Sequence, residues 1–552
     1  MEAGLIPAGE SLHAVEAVIL LLLVLVAGFA VMARRLKVPY PIVLVLAGLV
    51  ISFFPRIPRI PLDPDIVFII FLPPLLYSAA WTMSWREFRR NAMVIGLLAF
   101  GLVGFTVWGM AEFSERFITA LDWKSGFLLG AVISTTDAIA ATSIARNLGL
   151  PRRIVDILEG ESLLNDATGL LALEIGIAII ARGEIPSVGG GLLRLLYLVL
   201  GGLGIGLLIG FVVAWLERFI DDGPIELVVS LIVPYAAYLA GERAKASGVL
   251  AVVACGLYLS RQSASLFSPA VRLQVVGAWG ALTFILNGLV FVLIGLQLPY
   301  VLAGINGRYG IGTLVFYGAL FSGVLILLRM IWVLPAIRAA QYVEHRWMGH
   351  TEKPLERRDV FVLGWTGMRG VIALAAAISV PQFLANGQPL ESRNLIVFLA
   401  FCVIFVTLVL QGLTLPALIR RLGLARAVGM GATGMDAEEK EARRVVLEAA
   451  IEHLDAGRKN DGESYDHVYD DLTHRYRHRL AAVGGGGEEE GYDGLDRETY
   501  SRLRHISAGA LQAERRTLIA LRDEGRIGDD TLRKMERELD LAQTRYSGPP
   551  NE

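Results

Sequence analysis

The stretch GESLLNDATGL, residues 160–170, sets polar side chains into the middle of an apolar run that extends from 153 to 181. A charged aspartate at the centre of a bilayer costs about 2.5–3.5 kcal/mol even on a lenient scale. At 100° per residue, an α-helix would gather the polar positions on one face about 140° wide. That face holds Glu161, Ser162, Asn165, Asp166 and Gly169.

Apolar runs on both sides of this stretch divide the chain into a membrane part and a water-compatible tail. Of the 552 residues, 54% are hydrophobic and only 19% are charged. A bilayer core of about 30 Å requires about 20 apolar residues per helix. We therefore expect an all-α polytopic membrane domain over 1–424 and a helical cytoplasmic tail over 425–552. About 13 transmembrane helices are predicted, at 13–32, 39–55, 65–84, 92–112, 125–146, 153–181, 189–217, 224–241, 247–260, 272–299, 309–337, 359–384 and 394–421.

Basic residues predict the orientation of these helices. They follow the first, third, fifth and last runs, as at Arg34, Arg89, Arg152 and Arg420, and they recur in the loop 338–358. Loops rich in Lys and Arg face the cytoplasm. We expect a multi-pass protein of the cell membrane with its N-terminus outside and its tail in the cytoplasm.

Two of the runs are interrupted at corresponding places in the two halves of the chain. In the fifth, residues 134–137 read STTD, and such residues favour the N-cap of a second half-helix. In the twelfth, Gly364, Gly367 and Gly370 allow local unwinding. Paired broken segments are the best sequence indication of a transporter's binding site. We therefore expect inverted repeats with two broken crossing helices.

The buried charges also have interpretations that require no ligand. Glu161 is expected to form a structural ion pair with Arg369, the basic residue deep in the twelfth run. Asp137 alone could cap a half-helix, since the helix dipole stabilises it with or without an ion. Arg329, near the cytoplasmic end of the eleventh run, is expected to snorkel. Asp166 has no basic partner on its own helix, which favours a place in an ion pathway.

The oxygen-rich pattern indicates binding of an alkali ion. Na⁺ prefers oxygen ligands, and the candidates are Asp166, Asp137, Ser162 and the backbone carbonyl of Thr136. Burial disfavours a charged carboxylate, so it holds either a proton or a cation. Competition for one site predicts exchange of the two ions. Glu174 points away from the polar face and has no assigned role.

Other classes of membrane protein fit less well. An intramembrane aspartyl protease also needs two aspartates, but neither Asp137 nor Asp166 has the Tyr-Asp or Gly-x-Gly-Asp setting. An organic-anion carrier would favour a cationic or neutral site, and a channel needs no titratable competitor. No P-loop occurs, which argues against ATP-driven pumping. Cys255 and Cys402 lie inside apolar runs, and no cofactor or nucleic-acid partner is predicted.

Four segments, in this order, resemble bacterial sodium/proton exchangers of the monovalent cation:proton antiporter-1 family. They are FLPPLLYSAAW (71–81), STTDAIAATSI (134–144), GESLLNDATGL (160–170) and GWTGMRGVIALAAA (364–377). The resemblance implies a homodimer of thirteen-helix subunits and an elevator mechanism. The implied core domain comprises the helices at about 92–181 and 309–421, and the dimer domain those at about 13–84 and 189–299.

The resemblance also implies residue roles. Asp166 would bind the cation and the proton, with help from Asp137, Thr136 and Ser162. The ion pair would join Glu161 to Arg369.

Two further positions bear on the cycle. An asparagine directly before the key aspartate, here Asn165, resembles the sequence of electroneutral members of the family. Ser78 stands where relatives often have an acidic residue, so a contribution to cation binding from the third helix stays open.

The tail contains predicted helices at 436–455 and 467–483, an acidic linker at 484–490, and a helical hairpin formed by 515–522 and 531–544, with Asp529 or Asp530 as N-cap. A structural or regulatory role is expected for it.

Overall fold

The computed structural model describes residues 8–36, 38–54, 63–83, 85–182, 188–220, 222–266, 269–305, 309–348, 354–384, 388–425, 437–461, 466–484 and Leu541. These residues are organised as helices, with one isolated β-bridge between Phe383 and Pro389. The chain separates into two compact units, Met1–Val428 and Gly429–Glu552.

The described residues of the first half of the larger unit form ten helices. They are α1 (Ala8–Leu36), α2 (Tyr40–Ser52), α3 (Pro64–Ile66), α4 (Leu72–Thr82), α5 (Trp85–Arg90), α6 (Ala92–Gly96), α7 (Val103–Phe117), α8 (Trp123–Val132), α9 (Ala138–Asn147) and α10 (Arg152–Arg182). The π-helical turns Val67–Phe71 and Leu97–Leu102 join α3 to α4 and α6 to α7, so each pair is one continuous helix.

The second half of this unit, as far as it is described, also forms ten helices. They are α11 (Val188–Glu217), α12 (Gly223–Arg243), α13 (Gly248–Leu266), α14 (Pro269–Leu296), α15 (Leu298–Ile305), α16 (Ile311–Val343), α17 (Arg357–Trp365), α18 (Val371–Ser379), α19 (Arg393–Val406) and α20 (Gly412–Arg421). The π-helical turn Glu344–Met348 extends α16, and Thr407–Gln411 joins α19 to α20.

The composition of these helices suits a bilayer. Among the described residues, eight helices are long and apolar enough to cross a membrane, and two shorter apolar helices lie at Tyr40–Ser52 and Gly248–Gln262. Large apolar side chains such as Leu193, Phe211 and Ile311 are exposed, as lipid contact requires. The all-helical, multi-span class predicted from the sequence is confirmed. The number of crossings and the inverted repeats stay predictions.

The interior of the larger unit is formed by two buried clusters. One joins side chains of α7 to α10 with those of α16 to α20, together with parts of α2 and α14. The other joins α4 to α11, α12 and α13, with Trp279 of α14 at its edge. The broken helices α8/α9 and α17/α18 belong to the first cluster, which therefore surrounds the predicted site.

The smaller unit contains α21 (Ala437–Asp461) and α22 (Asp466–Gly484). Arg458 joins the two helices through Asp466 at 2.9 Å and Asp470 at 2.8 Å. The predicted helices at 436–455 and 467–483 are present. The predicted linker and hairpin lie outside the described residues, apart from Gly484 and Leu541. The cytoplasmic position and regulatory role stay predictions.

Candidate functional site

Two interrupted helices cross at the centre of the candidate site. Non-helical chain separates α8 from α9 over residues 133–137 and α17 from α18 over residues 366–370. The backbone N–H of Asp137 donates to the carbonyl of Met368 at 2.8 Å. Both sequence-predicted interruptions are therefore present, and a hydrogen bond joins them directly.

Arg369 and Gly370 hold the crossing together. Arg369 donates from Nη1 to the Ser134 carbonyl at 2.6 Å, and from its backbone N–H to Thr407 Oγ1 at 3.1 Å. A Cβ atom at Gly370 would collide with the Asp137 carboxylate. The absence of a side chain at Gly370 is what allows the second non-helical segment to approach Asp137.

The polar face of α10 lies against this crossing. Asp166 is only 2% exposed, and its Oδ1 has no hydrogen-bond partner among the described residues. Asp166 and Asp137 are close enough for their charges to interact. Asn165 donates from Nδ2 to Thr136 Oγ1. A buried carboxylate oxygen without a donor in the described chain therefore lies within electrostatic reach of a second carboxylate.

Neutral oxygens complete the surroundings of the two carboxylates. Ser162 Oγ donates to the Thr136 carbonyl at 2.8 Å and accepts from the backbone N–H of Ala138 at 3.2 Å. Asp137 Oδ1 accepts from the N–H of Ile139 at 2.8 Å. Asp137 thus caps α9, as one of its two sequence interpretations expects, and its Oδ2 faces Gly370.

The expected ion pair between Glu161 and Arg369 is wrong. Glu161 instead pairs with Arg329: Nη1 bonds Oε1, and Nη2 lies 2.8 Å from Oε2. Arg329 Nη2 also donates to the Leu363 carbonyl at 3.0 Å, and both charged side chains are 1% exposed. Thr136 Oγ1 donates to Glu161 Oε1 at 3.3 Å, so the pair touches the site.

The expectation that Arg329 snorkels is wrong for a related reason. α16 continues to Val343 and then through a π-helical turn, well past the predicted end at 337. Arg329 lies in the middle of this helix, and its side chain is buried and bonded to Glu161 instead of extending towards solvent. A Cβ atom at Gly367 would collide with the Arg329 side chain, so this glycine makes room for the arginine. A single arginine in a long apolar run was the available signal, because such a charge requires a buried partner.

Two other predicted positions lie apart from this network. Ser78 is half-buried on α4, and the hydrogen bonds of the site, within the described part of the chain, do not include it. Glu174 is exposed and pairs with Arg194 at 3.3 Å. Neither position supplies a ligand at the crossing in this conformation.

The charges of the site determine what it can hold. Glu161 and Arg329 neutralise each other, so Asp137, Asp166 and Arg369 leave one negative charge in excess when both aspartates are ionised. The arrangement, two carboxylates with neutral oxygens, therefore suits one monovalent cation or one proton.

Comparison with known sequences gives a family match. Residues 19–421 match the family model described as sodium/hydrogen exchanger, transmembrane. A Na⁺/H⁺ exchanger of Mycobacterium tuberculosis is 32% identical over 538 residues, 96% of this chain and 96% of that protein. The Na⁺/H⁺ antiporter ApNhaP of Aphanothece halophytica is 32% identical over 421 residues, 76% of each.

A further relative and a solved structure extend the comparison. A sodium, potassium, lithium and rubidium/H⁺ antiporter of Bacillus pumilus is 29% identical over 543 residues, 96% of this chain and 78% of that protein. The sodium proton antiporter MjNhaP1 from Methanocaldococcus jannaschii has a similar fold, with a TM-score of 0.55 at 21% identity. The likeness covers 76% of this chain and all of the other.

Proposed function

This chain belongs to the sodium/hydrogen exchanger family and is a membrane transporter rather than an enzyme, and from that premise we propose that Na⁺ and H⁺ compete for Asp166. Each arriving ion displaces the other, and alternating access carries the site between the two sides of the membrane. No cofactor takes part. The driving force is the gradient of one of the two ions.

The observation that carries the proposal is the state of Asp166. Its carboxylate is buried, one oxygen lacks a donor among the described residues, and a second carboxylate is close enough for the two charges to interact. Two neighbouring buried carboxylates cannot both stay charged without a counterion. A proton or a cation relieves the same excess charge, so each excludes the other.

The other residues of the site have distinct parts in this proposal. Asp137, Ser162 and the Thr136 carbonyl supply oxygens, and each would exchange a present hydrogen bond for the cation. Asn165, next to Asp166 on α10, hydrogen-bonds Thr136 and adds no charge to the site. The Glu161–Arg329 pair supports the site by binding Thr136 and the Leu363 carbonyl. Ser78 would contribute only through water.

Na⁺ is the proposed cation, with Li⁺ or K⁺ as alternatives. The relative ApNhaP, named as a Na⁺/H⁺ antiporter, is identical to this chain at about a third of the aligned residues, and the Bacillus pumilus relative is named for four alkali ions. Oxygen ligands alone do not distinguish strongly among these ions.

Exchange is proposed to be electroneutral. The site lacks one positive charge, and one Na⁺ or one H⁺ supplies it. Asn165 adds no second titratable group next to Asp166. The loaded site therefore has the same charge in both directions of the cycle.

The proposed architecture follows the family fold. We infer about 13 crossings in inverted repeats, with a mobile core at about 92–181 and 309–421 and a dimer domain at about 13–84 and 189–299. Two copies would associate through the dimer domain. The basic loops support an outside N-terminus and a cytoplasmic tail.

Replacing Asp166 tests the proposal. In proteoliposomes or everted vesicles, Asp166→Asn should abolish ΔpH-dependent Na⁺ transport while the protein still inserts in normal amounts, because asparagine cannot exchange a proton for a cation.

Glu174→Gln is the matched control and should retain exchange, because Glu174 lies on the same helix but is exposed and outside the site. Full ΔpH-dependent transport by Asp166→Asn would remove the assignment.

A further inference from the structure

A buried glutamine without a partner lies beside the broken helix α17/α18. Gln411 is 1% exposed, and neither its Nε2 nor its Oε1 has a hydrogen-bond partner in the described chain. It ends the π-helical turn Thr407–Gln411 that joins α19 to α20. π-Helical turns occur frequently at functional sites.

The neighbours of Gln411 along the helix both bind the broken segment. Thr407 Oγ1 accepts from the backbone N–H of Arg369 at 3.1 Å, and Thr414 Oγ1 accepts from Trp365 Nε1 at 3.1 Å. Residues four before and three after a position share its helix face. Gln411 therefore lies between two side chains that contact the broken helix, one at Arg369 in segment 366–370 and one at Trp365, the last residue of α17.

Gly412, the residue after Gln411, packs close to Met368 at the crossing of the two broken helices. A Cβ atom at Gly412 would lie 3.6 Å from Met368 Sδ and would clash with Ile42 Cδ1 at 2.7 Å. Met368 is the residue whose carbonyl accepts the N–H of Asp137. A shift of Met368 during ion binding would therefore reach the surroundings of Gln411.

An unpaired buried amide lowers stability in this conformation. Its donor and acceptor atoms are buried, and no group in the described part of the chain bonds them, so the amide carries a desolvation cost. An apolar side chain of the same size would fit this environment better. A hydrogen bond in another state of the transport cycle would explain why an amide stands at this position.

We propose that Gln411 is a positioning residue for cation binding. When the cation reaches Asp166 and the non-helical segment 366–370 shifts, the Gln411 amide hydrogen-bonds backbone groups that this segment exposes. This hydrogen bond stabilises the cation-bound state, and it is not made in the conformation described above. This inference rests on the exchange at Asp166 proposed above, but its test is a separate measurement.

Gln411→Met tests this role, because methionine keeps the length of the side chain and removes both polar atoms. The half-saturating Na⁺ concentration for exchange in proteoliposomes should rise about 3- to 10-fold, as expected for the loss of one hydrogen bond. The melting temperature of the purified ion-free variant should equal or exceed that of the wild type, because no existing bond is lost.

Two control variants make the comparison specific. Leu410→Met introduces methionine at the adjacent exposed position. It should change neither the half-saturating Na⁺ concentration nor the melting temperature. Thr407→Val removes a hydroxyl that bonds Arg369 and should lower the melting temperature.

Two outcomes would overturn the inference. One is a lower melting temperature or loss of folded protein in Gln411→Met, which would make the amide structural. The other is an unchanged half-saturating Na⁺ concentration. Both can occur while Asp166→Asn still abolishes exchange, so the proposed function would stand without Gln411.

Discussion

At the scale of single residues, the site depends on which buried charges are paired. Glu161 and Arg329 form two hydrogen bonds with each other, whereas one oxygen of Asp166 has no donor among the described residues. A buried pair broken on one side leaves an uncompensated charge and is strongly destabilising. Glu161 already has a buried partner, whereas the buried Asp166 carboxylate has an oxygen left that can bind an ion.

Neutralising one partner of the ion pair should destabilise the protein. We expect Glu161→Gln or Arg329→Gln to lower the free energy of unfolding by about 3–5 kcal/mol, because the remaining charge stays buried without a partner. Folded yield and melting temperature in detergent measure the effect.

The double variant Glu161→Gln with Arg329→Gln is the control. It leaves no lone charge and should recover part of the loss. Normal abundance of Glu161→Gln with no transport would place Glu161 in the ion path and contradict a structural role.

Some of the site could be predicted at this scale and some could not. The spacing of α10 placed Asp166, Asn165 and Ser162 on one face, and the structure puts them at the crossing. Helical periodicity assigns faces but not partners on distant helices, so Glu161 was paired with the wrong arginine. Gln411 was missed, because a single amide in an apolar run is not a recognisable pattern.

At the scale of helices, the site exists because two helices are broken where they meet. Asp137 N–H and Met368 O join the non-helical segments, and Arg369 binds Ser134 across them. Unpaired backbone groups at membrane depth are tolerated only inside protein or beside a water-filled cavity. Side chains of α10 and the turn before α20 meet that requirement here.

Adding a methyl group at Gly370 should disrupt the crossing. We expect Gly370→Ala to lower stability by about 1–3 kcal/mol, the usual effect of overpacking, and to reduce exchange per folded molecule. The new Cβ would collide with the Asp137 carboxylate. Transport in proteoliposomes, normalised to folded protein, measures the second effect.

Gly104→Ala is the matched control, since nothing lies within 4 Å of a Cβ atom there. It should be neutral or slightly stabilising, because alanine favours the helix. Equal transport by Gly370→Ala and Gly104→Ala would show that the close approach is not needed.

The breaks themselves were predictable, because cap residues and glycines interrupt otherwise apolar runs. The positions at which helices end were less predictable than the breaks. The predicted eleventh helix ended at 337, but α16 continues to Val343 and the helix-like turn to Met348, because polar residues in its last turns do not stop a helix. Because the helix continues, Arg329 stands near its middle, where Glu161 and the Leu363 carbonyl bind it.

At the scale of the whole molecule, exchange of one cation for one proton at Asp166 would be a cycle that moves no net charge. One cation and one proton neutralise the same excess charge, and the ion pair stays neutral throughout. Membrane voltage acts only on charge that moves across the membrane, at about 2.3 kcal/mol per elementary charge for each 100 mV.

Exchange should therefore be independent of voltage. In proteoliposomes with a fixed ΔpH and Na⁺ gradient and without K⁺, imposing a diffusion potential of either sign with a permeant anion should leave the initial rate and final Na⁺ distribution unchanged. A distribution that shifts with the imposed potential would indicate unequal numbers of ions and contradict the electroneutral cycle.

The most direct test of competition at Asp166 is proton release on cation binding. Purified protein in a weakly buffered detergent solution at mildly acidic pH should release one proton for each Na⁺ bound, read with a pH indicator. Asp166→Asn should release none, and choline should release none from either protein. Na⁺ binding to the wild type without proton release would contradict the account.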